Sequence, residues 1–346
     1  MSNKVSVVIP TYNRSSLVTE AIDSVLEQST LVEEIIVVDD GSTDDTSSAL
    51  SAYGDRITVV RQENSGVNAA RNRALELATG SFIALLDNDD VWLPFKTALE
   101  LAALEAFPDS GFVFSDFYIW KPGISQIPKG LDSWHPKRRD WSAILQERVS
   151  GSTLKLNVTP RPEKDFDLYH GDIYGPSLEY PFVLPSTAII RRECMDDLRF
   201  DASDSTCGDW SFFARLSRRF GAVYVDLETT LNRSHEDEVR LTRLDQGVQL
   251  ERRLNMTGRL WGNDAGFERE HPGRAATMAA SLLHQRARVA LKSDRPADAL
   301  AFLDEARALG TARGGADDFL LRFLASTPGV LALAQRAIRF RQQWRG

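Results

Sequence analysis

Cysteine is nearly absent from the sequence, and this scarcity limits the class of protein. The two cysteines, Cys194 and Cys207, form neither a C-x-x-C pair nor a spacing typical of zinc sites. A disulfide framework and a structural zinc module are therefore excluded. We expect both thiols to be reduced, in a cytoplasmic protein.

Long apolar runs and an excess of basic residues are also missing. No stretch reaches the roughly 18 apolar residues that a membrane helix needs. The opening MSNKVSVVIPTYN has too short an apolar segment for a secretory signal peptide and lacks a cleavage pattern. The formal net charge of −8 argues against a protein that wraps nucleic acid, because such binding depends on basic surface. We expect a cytoplasmic chain without a nucleic-acid partner.

Glycine is missing where a dinucleotide-binding protein requires it. The first apolar run, KVSVVIP, is followed by TYNR and not by G-x-G-x-x-G. In the dinucleotide-binding fold, those glycines let the pyrophosphate approach the backbone closely. A diphosphate bound by this chain would instead have to be neutralised by a metal ion and by side chains.

The first 115 residues do contain an alternation of two periodicities. Short runs rich in valine and isoleucine are typical of buried parallel strands, and they read KVSVVIP, EEIIVVDD, RITVV and SFIALLD. Between them, residues 15–28 and 69–78 carry apolar side chains at helical spacing. GFVFSDFYIW, at 111–120, indicates a further strand. This alternation predicts an α/β protein with a mostly parallel sheet and helices on both faces.

The periodicity is lost after residue 120 and then returns. Residues 121–181 contain seven prolines and predict a loop-rich insertion with short elements. Regular structure resumes with FVLPSTAIIRRE, a helix over 209–220 and the strand AVYVDLETTLNRSH. Beyond about residue 240 the pattern is helical, and ASLLHQRARVALKSDRPADALAFLDEARALG predicts a helix–turn–helix pair.

Carboxylates cluster directly after two of the predicted strands. Asp39 and Asp40 follow the second strand, and Asp87, Asp89 and Asp90 follow the fourth. The carboxyl ends of parallel strands line one crevice, where ligands bind. A hard cation, Mg²⁺ or Mn²⁺, would supply the missing positive charge and leave room for phosphate oxygens. A local role stays open, because aspartate also favours turns and helix N-caps.

Four segments, in this order, resemble the successive motifs of family 2 glycosyltransferases with the GT-A fold: KVSVVIPTYNR, IIVVDDGSTDDT, NSGVNAARNRALELATGSFIALLDNDDVWLP and GDWSFFARL. The resemblance covers about residues 4–120 and again 182–240. It implies a Rossmann-like GT-A domain followed by a C-terminal helical extension. The implied parts are a nucleotide-sugar-binding half at 1–120, an acceptor-binding half with the insertion at 121–240, and a helical region at 241–346.

The resemblance also implies site residues. The implied nucleotide-binding residues are Pro10, Thr11, Tyr12, Asp39, Asp40 and Arg71. Of the two adjacent carboxylates, Asp40 is the better candidate for contact with the base. The D-x-D motif, Asp87-Asn88-Asp89 followed by Asp90, would bind the metal and the sugar diphosphate, with either Asp89 or Asp90 as the direct ligand.

The candidate general base is Asp209, in the sequence Gly208-Asp209-Trp210. The family usually has a Glu-Asp-Trp type motif here, and the missing glutamate puts the acceptor contacts in question. A helix N-cap is the local alternative for Asp209. Trp210 is a secondary candidate, and so is His235, which lies where the family often has a histidine near the diphosphate.

The implied activity is a metal-dependent, inverting sugar transfer that uses Mn²⁺ or Mg²⁺. The donor would be a nucleotide-diphosphate sugar, with a UDP-sugar favoured, and the acceptor a glycan or lipid-linked hydroxyl in bacterial-type surface polysaccharide or glycoconjugate synthesis. Two alternatives stay open, a catalytically silent nucleotide-sugar or glycan-binding module and a nucleotidyltransferase. The latter would be expected to carry a glycine-rich basic loop after the first strand, which IPTYNR is not.

The end of the chain, about residues 328–345, predicts an amphipathic helix. Its apolar stripe and the arginines around it are Leu333, Ala337, Phe340, Trp344, Arg336, Arg339, Arg341 and Arg345. Such a helix either packs onto the helical region or contacts a partner or the inner face of a membrane.

Overall fold

A computed structural model describes residues 4–30, 32–133, 139–154, 162, 164–204, 206–234, 245–310, 315–327, 330 and 332. The chain divides into two compact units, Met1–Glu238 and Val239–Gly346. Over the described residues, the first unit is built on a sheet and the second on helices.

The centre of the first unit is a sheet with eleven strands in the described part of the chain. These are β1 (Val5–Thr11), β2 (Glu34–Asp39), β3 (Thr58–Arg61), β4 (Phe82–Leu85), β5 (Val91–Trp92), β6 (Ser110–Lys121), β7 (Ser125–Ile127), β8 (Glu147–Ser150), β9 (Asp167–Gly171), β10 (Ala188–Arg191) and β11 (Gly221–Arg233). Their order is β3-β2-β1-β4-β10-β6-β11-β9-β8, with β5 beside β11 and β7 beside β6. Pairing is parallel along β3-β2-β1-β4 and between β6 and β11. The strands β5, β7, β8, β9 and β10 run antiparallel to their neighbours.

Helices cover both faces of this sheet. They are α1 (Ser15–Leu26), α2 (Thr46–Ser51), α3 (Val67–Leu77), α4 (Lys96–Ala106), α5 (Gly130–Ser133), α6 (Trp141–Ile144) and α7 (Gly208–Ser217). Short 3₁₀ turns at Pro176–Leu178 and Pro185–Thr187 precede β10. The predicted alternation of strands and helices is confirmed, and the insertion supplies short elements between β6 and β10.

The two faces of the sheet divide the core. Side chains alternate along a strand, so Val8 packs with α3 and α7 on one face while Val7 and Ile9 pack with α1 and α4 on the other. Because both faces are covered, the strands are apolar at consecutive positions. The carboxyl ends of β1, β2 and β4 meet at one edge of the sheet.

The second unit is helical throughout its described residues. Its helices are α8 (Gln246–Thr257), α9 (Ala265–Glu270), α10 (Arg274–Lys292), α11 (Pro296–Ala308) and α12 (Ala316–Ser326), with a π-helical turn at Gly258–Gly262. The predicted helix–turn–helix corresponds to α10 and α11. The predicted C-terminal helix at 328–345 lies outside the described residues, apart from positions 330 and 332. Within the described chain, no helix combines the length and apolarity needed to cross a bilayer.

Candidate active site

The residues that follow β1, β2 and β4 lie close together at the carboxyl edge of the sheet. Thr11, the last residue of β1, is buried, and its hydroxyl accepts a hydrogen bond from the side-chain amide of Asn88 (3.1 Å). The carbonyl oxygen of Thr11 accepts one from the backbone N–H of Asp40 (2.9 Å). Thr11 therefore joins the turn after β2 to the turn after β4. Pro10 is buried in the same strand, whereas Tyr12 is exposed.

Asp39 and Asp40 are both buried, and each stabilises a loop. One oxygen of Asp40 accepts hydrogen bonds from the Gln62 side chain (2.7 Å) and the Ser65 N–H (2.9 Å), and the other accepts from the Gly66 N–H (2.8 Å). Asp39 accepts from the N–H of Ser42 at 2.8 Å. Asp40 thus holds the segment that leads into α3, which presents Arg71 to the site.

Arg71, on α3, is a buried cation. Its Nη2 lies 2.5 Å from an oxygen of Asp87, and its Nη1 donates to the side chain of Asn68 (3.2 Å). Its guanidinium also lies over the ring of Phe200, 5.2 Å from the centroid. Arg73, two residues on, is half-exposed and pairs with Glu76 along the helix. The two arginines of the motif therefore have different environments, and Arg71 alone of the pair is buried.

The acidic turn after β4 separates its three carboxylates. The Asp87 side chain is 26% exposed and pairs with Arg71. Asp90 is buried and accepts hydrogen bonds from three groups: the Ser186 hydroxyl (2.5 Å), the Asn232 amide (2.9 Å) and the Arg233 N–H (3.2 Å). Burial, together with the nearby charges of Asp89 and Asp87, raises the pKa of Asp90 well above the usual aspartate value. Asp90 consequently anchors the turn to β11 and to the Pro185–Thr187 turn.

The other two carboxylates of the turn, Asp87 and Asp89, suit a metal ion whose remaining ligands come from the substrate. Among the described residues no cluster of three or more His, Cys, Asp or Glu side chains is arranged to hold a metal ion. Asp87 and Asp89 are both partly exposed at the turn. Mg²⁺ and Mn²⁺ favour oxygen ligands, and Mg²⁺ is commonly held by one or two carboxylates together with phosphate oxygens and water. The donor set at this turn therefore fits a metal bound together with a diphosphate.

Asp209 lies in the first turn of α7, since the helix begins at Gly208. Its carboxylate accepts a hydrogen bond from the N–H of Trp210 (2.8 Å). Burial raises the pKa of Asp209, while the positive charge of Arg71 lowers it and the negative charge of Asp87 raises it. Asn68, which accepts a hydrogen bond from Arg71, also lies against Gly208, the residue before Asp209, so the start of α7 is close to the Arg71–Asp87 pair.

Two secondary candidates have different outcomes. The indole N–H of Trp210 donates to the carbonyl oxygen of Ser177 (2.7 Å), so this ring ties α7 to the Pro176–Leu178 turn. His235 lies outside the described residues.

This arrangement can be compared with known proteins. The model of the family described as Glycosyl transferase family 2 matches residues 6–148. This part of the chain is therefore similar to the glycosyl transferases of family 2.

Curated relatives show the same similarity. An uncharacterized glycosyltransferase of Rickettsia felis is 40% identical over 134 residues, 38% of this chain and 21% of the relative. One of Rickettsia prowazekii is 28% identical over 243 residues, 70% of this chain and 67% of the relative. The putative teichuronic acid biosynthesis glycosyltransferase TuaG of Bacillus subtilis is 46% identical over 101 residues, 28% of this chain and 40% of the relative. The chain thus matches about a fifth of the length of the first of these proteins.

Solved structures show the same fold. The chain is similar to TarS 1–349 of S. aureus in complex with UDP, with a TM-score of 0.51, 18% identity and coverage of 93% of this chain and 90% of that one. It is also similar to the mannosyltransferase PcManGT of Pyrobaculum calidifontis in complex with GDP-Man and Mn²⁺, with a TM-score of 0.54, 21% identity and coverage of 99% and 84%. The predicted GT-A fold is confirmed.

Two asparagines of α3, Asn68 and Asn72, form hydrogen bonds beside the candidate site and were not predicted from the sequence. The Asn68 amide donates to the carbonyl oxygens of Asp201 (3.0 Å) and Asp204 (2.7 Å), and its own oxygen accepts from Arg71. Asn72 exchanges two 2.8 Å hydrogen bonds with the backbone of Phe200. The i, i+4 spacing of the asparagines on α3 was the available signal, since it places both side chains on one helix face.

Close packing against Asn68 explains why position 208 is a glycine and not the glutamate usual in the family. A Cβ atom at this position would lie 2.1 Å from the Asn68 amide nitrogen, far inside van der Waals contact. A larger side chain would therefore displace the amide that ties α3 to the segment before Asp209. The absence of a side chain at position 208 leaves room for the hydrogen bonds of Asn68 to the segment before Asp209.

Proposed function

We propose that the chain is an inverting glycosyltransferase in which Asp209 removes the proton of the acceptor hydroxyl as that oxygen attacks the anomeric carbon of a nucleotide-diphosphate sugar. The observation that supports the proposal is that Asn68 contacts both Arg71, the ion-pair partner of Asp87, and Gly208, the residue before Asp209. A hydroxyl is a poor nucleophile, so a positioned carboxylate assists its attack. Inversion rests on the family resemblance.

The remaining predicted residues have roles at the donor side. The leaving nucleoside diphosphate gains negative charge, and the buried guanidinium of Arg71 is placed to stabilise it. Asp87 and Asp89 would hold Mn²⁺ or Mg²⁺, whose contribution when bound is Lewis-acid stabilisation of the diphosphate. The segment from Pro10 to Tyr12, with Asp39 and Asp40 behind it, would form the nucleotide pocket.

We favour a UDP-sugar as donor. A solved structure of TarS contains UDP and another contains UDP-GlcNAc, whereas PcManGT contains GDP-Man. The names of TuaG and of the E. coli relative WcaA, a putative colanic acid biosynthesis glycosyl transferase, support an acceptor in surface polysaccharide synthesis. We propose a glycan or lipid-linked acceptor, used on the cytoplasmic side of the membrane.

Donor hydrolysis tests the activity without knowledge of the acceptor. We expect slow release of nucleoside diphosphate from at least one nucleotide sugar, dependent on added Mn²⁺ or Mg²⁺ and abolished by chelation. The measurement is a coupled assay over UDP- and GDP-sugars. Thermal shifts without any product would indicate a silent binding module. Release of sugar 1-phosphate, with transfer of the nucleoside monophosphate to water, would indicate nucleotidyl transfer.

We propose further that the second unit contacts an anionic membrane surface. On α12, three large apolar side chains are exposed, namely Phe319 at 74%, Leu320 at 52% and Phe323 at 45%. The segment that follows, 328–345, has four arginines and no acidic residue. Apolar side chains beside a basic segment favour a membrane interface with anionic lipids.

Liposome flotation checks this contact. We expect the full chain to float with vesicles that contain phosphatidylglycerol and less with vesicles of phosphatidylcholine alone. The double variant Phe319→Ser/Phe323→Ser should float markedly less. Ile124→Ser is the matched control, because Ile124 is 81% exposed in the first unit. Failure of the unmodified chain to float with the anionic vesicles would refute the membrane contact.

A further inference from the structure

A separate cavity of about 260 Å³ lies beside the insertion in the first unit. Cationic, acidic and aromatic side chains line it together, among them Lys129, Arg139, Asp140, Trp141 and Tyr169. None of these residues belongs to the motifs that carry the family resemblance. The cavity is slightly smaller than the range of about 300–1,000 Å³ typical of pockets for drug-sized ligands. Its volume therefore suits a single small ring.

Arg139 supplies unused hydrogen-bond donors to this cavity. Arg139 is only 9% exposed to solvent. Its Nη2 donates a hydrogen bond to the carbonyl oxygen of Pro181 (3.0 Å). The Nε and Nη1 atoms are buried and have no hydrogen-bond partner among the described residues. Burial lowers the pKa of Arg139 to about 10, because the cation loses water. Buried donors of this kind are costly unless an acceptor reaches them, so the geometry favours an oxygen-bearing ligand.

The lining also contains acidic side chains. Asp226 accepts hydrogen bonds from Lys129 Nζ (2.6 Å) and from the hydroxyl of Tyr224 (2.8 Å), and that hydroxyl also lies 3.1 Å from Asp116. Asp132 and Asp140 add two further carboxylates close to Arg139, whose N–H lies 3.5 Å from Asp132. Carboxylates outnumber cations here, which disfavours a phosphate or another multiply charged anion.

A sugar ring matches this combination of groups. Its hydroxyls both donate and accept, so they can form hydrogen bonds with the carboxylates and with the Arg139 guanidinium. The ring of Tyr169 adds apolar surface to the lining, and the ring of Trp141 is held by stacking on Tyr224, with 3.8 Å between the centroids. The guanidinium lies over Trp141 at 5.2 Å and over Phe182 at 4.6 Å, which fixes its orientation before a ligand arrives.

Strand β11 connects the cavity to the acidic turn. Asp226 lies in the middle of the strand, and six residues later Asn232 donates to Asp90 (2.9 Å). Six residues of extended chain span at most about 20 Å. The cavity lining at Asp226 therefore lies within about 20 Å of the β11 residue that holds the acidic turn.

We propose that this cavity binds one sugar unit of the acceptor glycan, remote from the hydroxyl that reacts. The inference rests on the proposed glycosyltransferase function. Binding energy from such a remote unit helps to position the reacting end of the substrate. The cavity would accordingly select acceptors by a sugar unit that takes no part in the reaction.

Ligand-observed NMR on the full chain tests this site with free sugars as probes. The panel is glucose, galactose, mannose, N-acetylglucosamine, N-acetylgalactosamine and glucuronate. We expect at least one of them to bind the unmodified chain, and Arg139→Lys to weaken that binding at least tenfold. Arg148→Lys is the matched control, since Arg148 is 60% exposed, pairs with Asp167 and lies outside the cavity lining.

A second variant protects the test against misfolding. Asp140→Asn removes one carboxylate of the lining, but its oxygen can still accept the helix-capping bond from the Ala143 N–H. If Arg139→Lys unfolds by circular dichroism, Asp140→Asn decides, with at least a tenfold loss of binding expected. No sugar binding to the unmodified chain, or unchanged binding in the folded variants, overturns the proposal. Donor hydrolysis by the unmodified chain without sugar binding refutes the cavity alone, whereas sugar binding at the cavity without donor hydrolysis refutes the enzyme function alone.

Discussion

Replacing Asp209 with asparagine is expected to slow sugar transfer by about 10²-fold or more, the usual contribution of a positioned general base. The asparagine oxygen can still accept the hydrogen bond from the Trp210 N–H, so α7 should begin in the same way. Affinity for the nucleotide sugar should barely change, because the base contacts the acceptor hydroxyl. The measurement is turnover and donor affinity on the same variant, once an acceptor is known.

The pH dependence of transfer provides an independent signature of the base. Burial raises the pKa of Asp209, and a base is inactive while it is protonated. The rate of the unmodified chain should therefore rise with pH, along a limb that lies above the ordinary aspartate pKa of about 3.9. The asparagine variant should lack this limb.

Asp201→Asn is the matched control for Asp209→Asn. Asp201 lies upstream of α7, and its carboxylate accepts from the Ser203 N–H (3.0 Å), a role that asparagine can keep. We expect near-normal turnover and an unchanged pH profile in this control. Normal turnover in Asp209→Asn would send the search for the base to Asp201 and Asp204.

The strands of the first half could be predicted because their environment is simple. Both faces of β1, β2 and β4 are covered, so consecutive positions are apolar and the runs end abruptly at polar turns. The antiparallel insertion of β10 between β4 and β6 could not be predicted in this way. Its pairing depends on contacts between residues 74 to 109 positions apart, and no local pattern encodes them.

The sequence predicts which acidic residues lie at the site, but it does not predict which of them binds a ligand and which one anchors the turn. Acidic residues after strands β2 and β4 are visible in the sequence, and the direction of parallel strands brings them to one edge. The partners that distinguish Asp90 from Asp89 are Ser186 and Asn232, which lie about 100 and 140 residues away in sequence. A carboxylate that anchors a turn therefore cannot be separated from a ligand by inspection of LDNDD.

A buried ion pair in the core is a second feature that local sequence does not predict. Lys96 and Glu100 have the i, i+4 spacing of a solvated pair on a helix surface, yet both side chains are fully buried and lie 2.5 Å apart. The Ser115 hydroxyl also donates to Glu100 (2.9 Å), and Thr229 lies 3.3 Å from it. Strands far along the chain supply these partners, so the burial of the pair could not be read from α4 alone.

Removing the partly exposed carboxylates of the acidic turn is expected to abolish the effect of metal on donor binding. Asp89→Asn should weaken binding of UDP in the presence of Mn²⁺ by at least about 10-fold, since even indirect partners of a metal ligand contribute 10–100-fold. Binding of UDP in the presence of a chelator should be nearly unchanged. Isothermal titration calorimetry with and without Mn²⁺ measures both quantities.

Asp87→Asn should have the same effect on metal-dependent binding and an additional effect on stability. Asp87 pairs with Arg71, whose side chain is buried, so the substitution leaves a cation without its counter-charge. We expect the free energy of unfolding to fall by about 1–3 kcal/mol, measured by urea denaturation. Asp89→Asn should not destabilise the fold to this extent, which separates loss of a ligand from loss of structure.

Asp90→Asn is the control that shows whether Asp90 anchors the turn or binds the metal. Asparagine can retain hydrogen bonds with Ser186 and the Arg233 N–H, so the turn should stay in place. If Asp90 acts only as the anchor, this variant keeps most of its Mn²⁺-dependent affinity for UDP while Asp87→Asn and Asp89→Asn lose theirs. Unchanged affinity in Asp87→Asn and Asp89→Asn would refute the metal site at this turn. A loss confined to Asp90→Asn would instead assign the metal to the buried carboxylate, and Ser186 and Asn232 would then have to release it when donor binds.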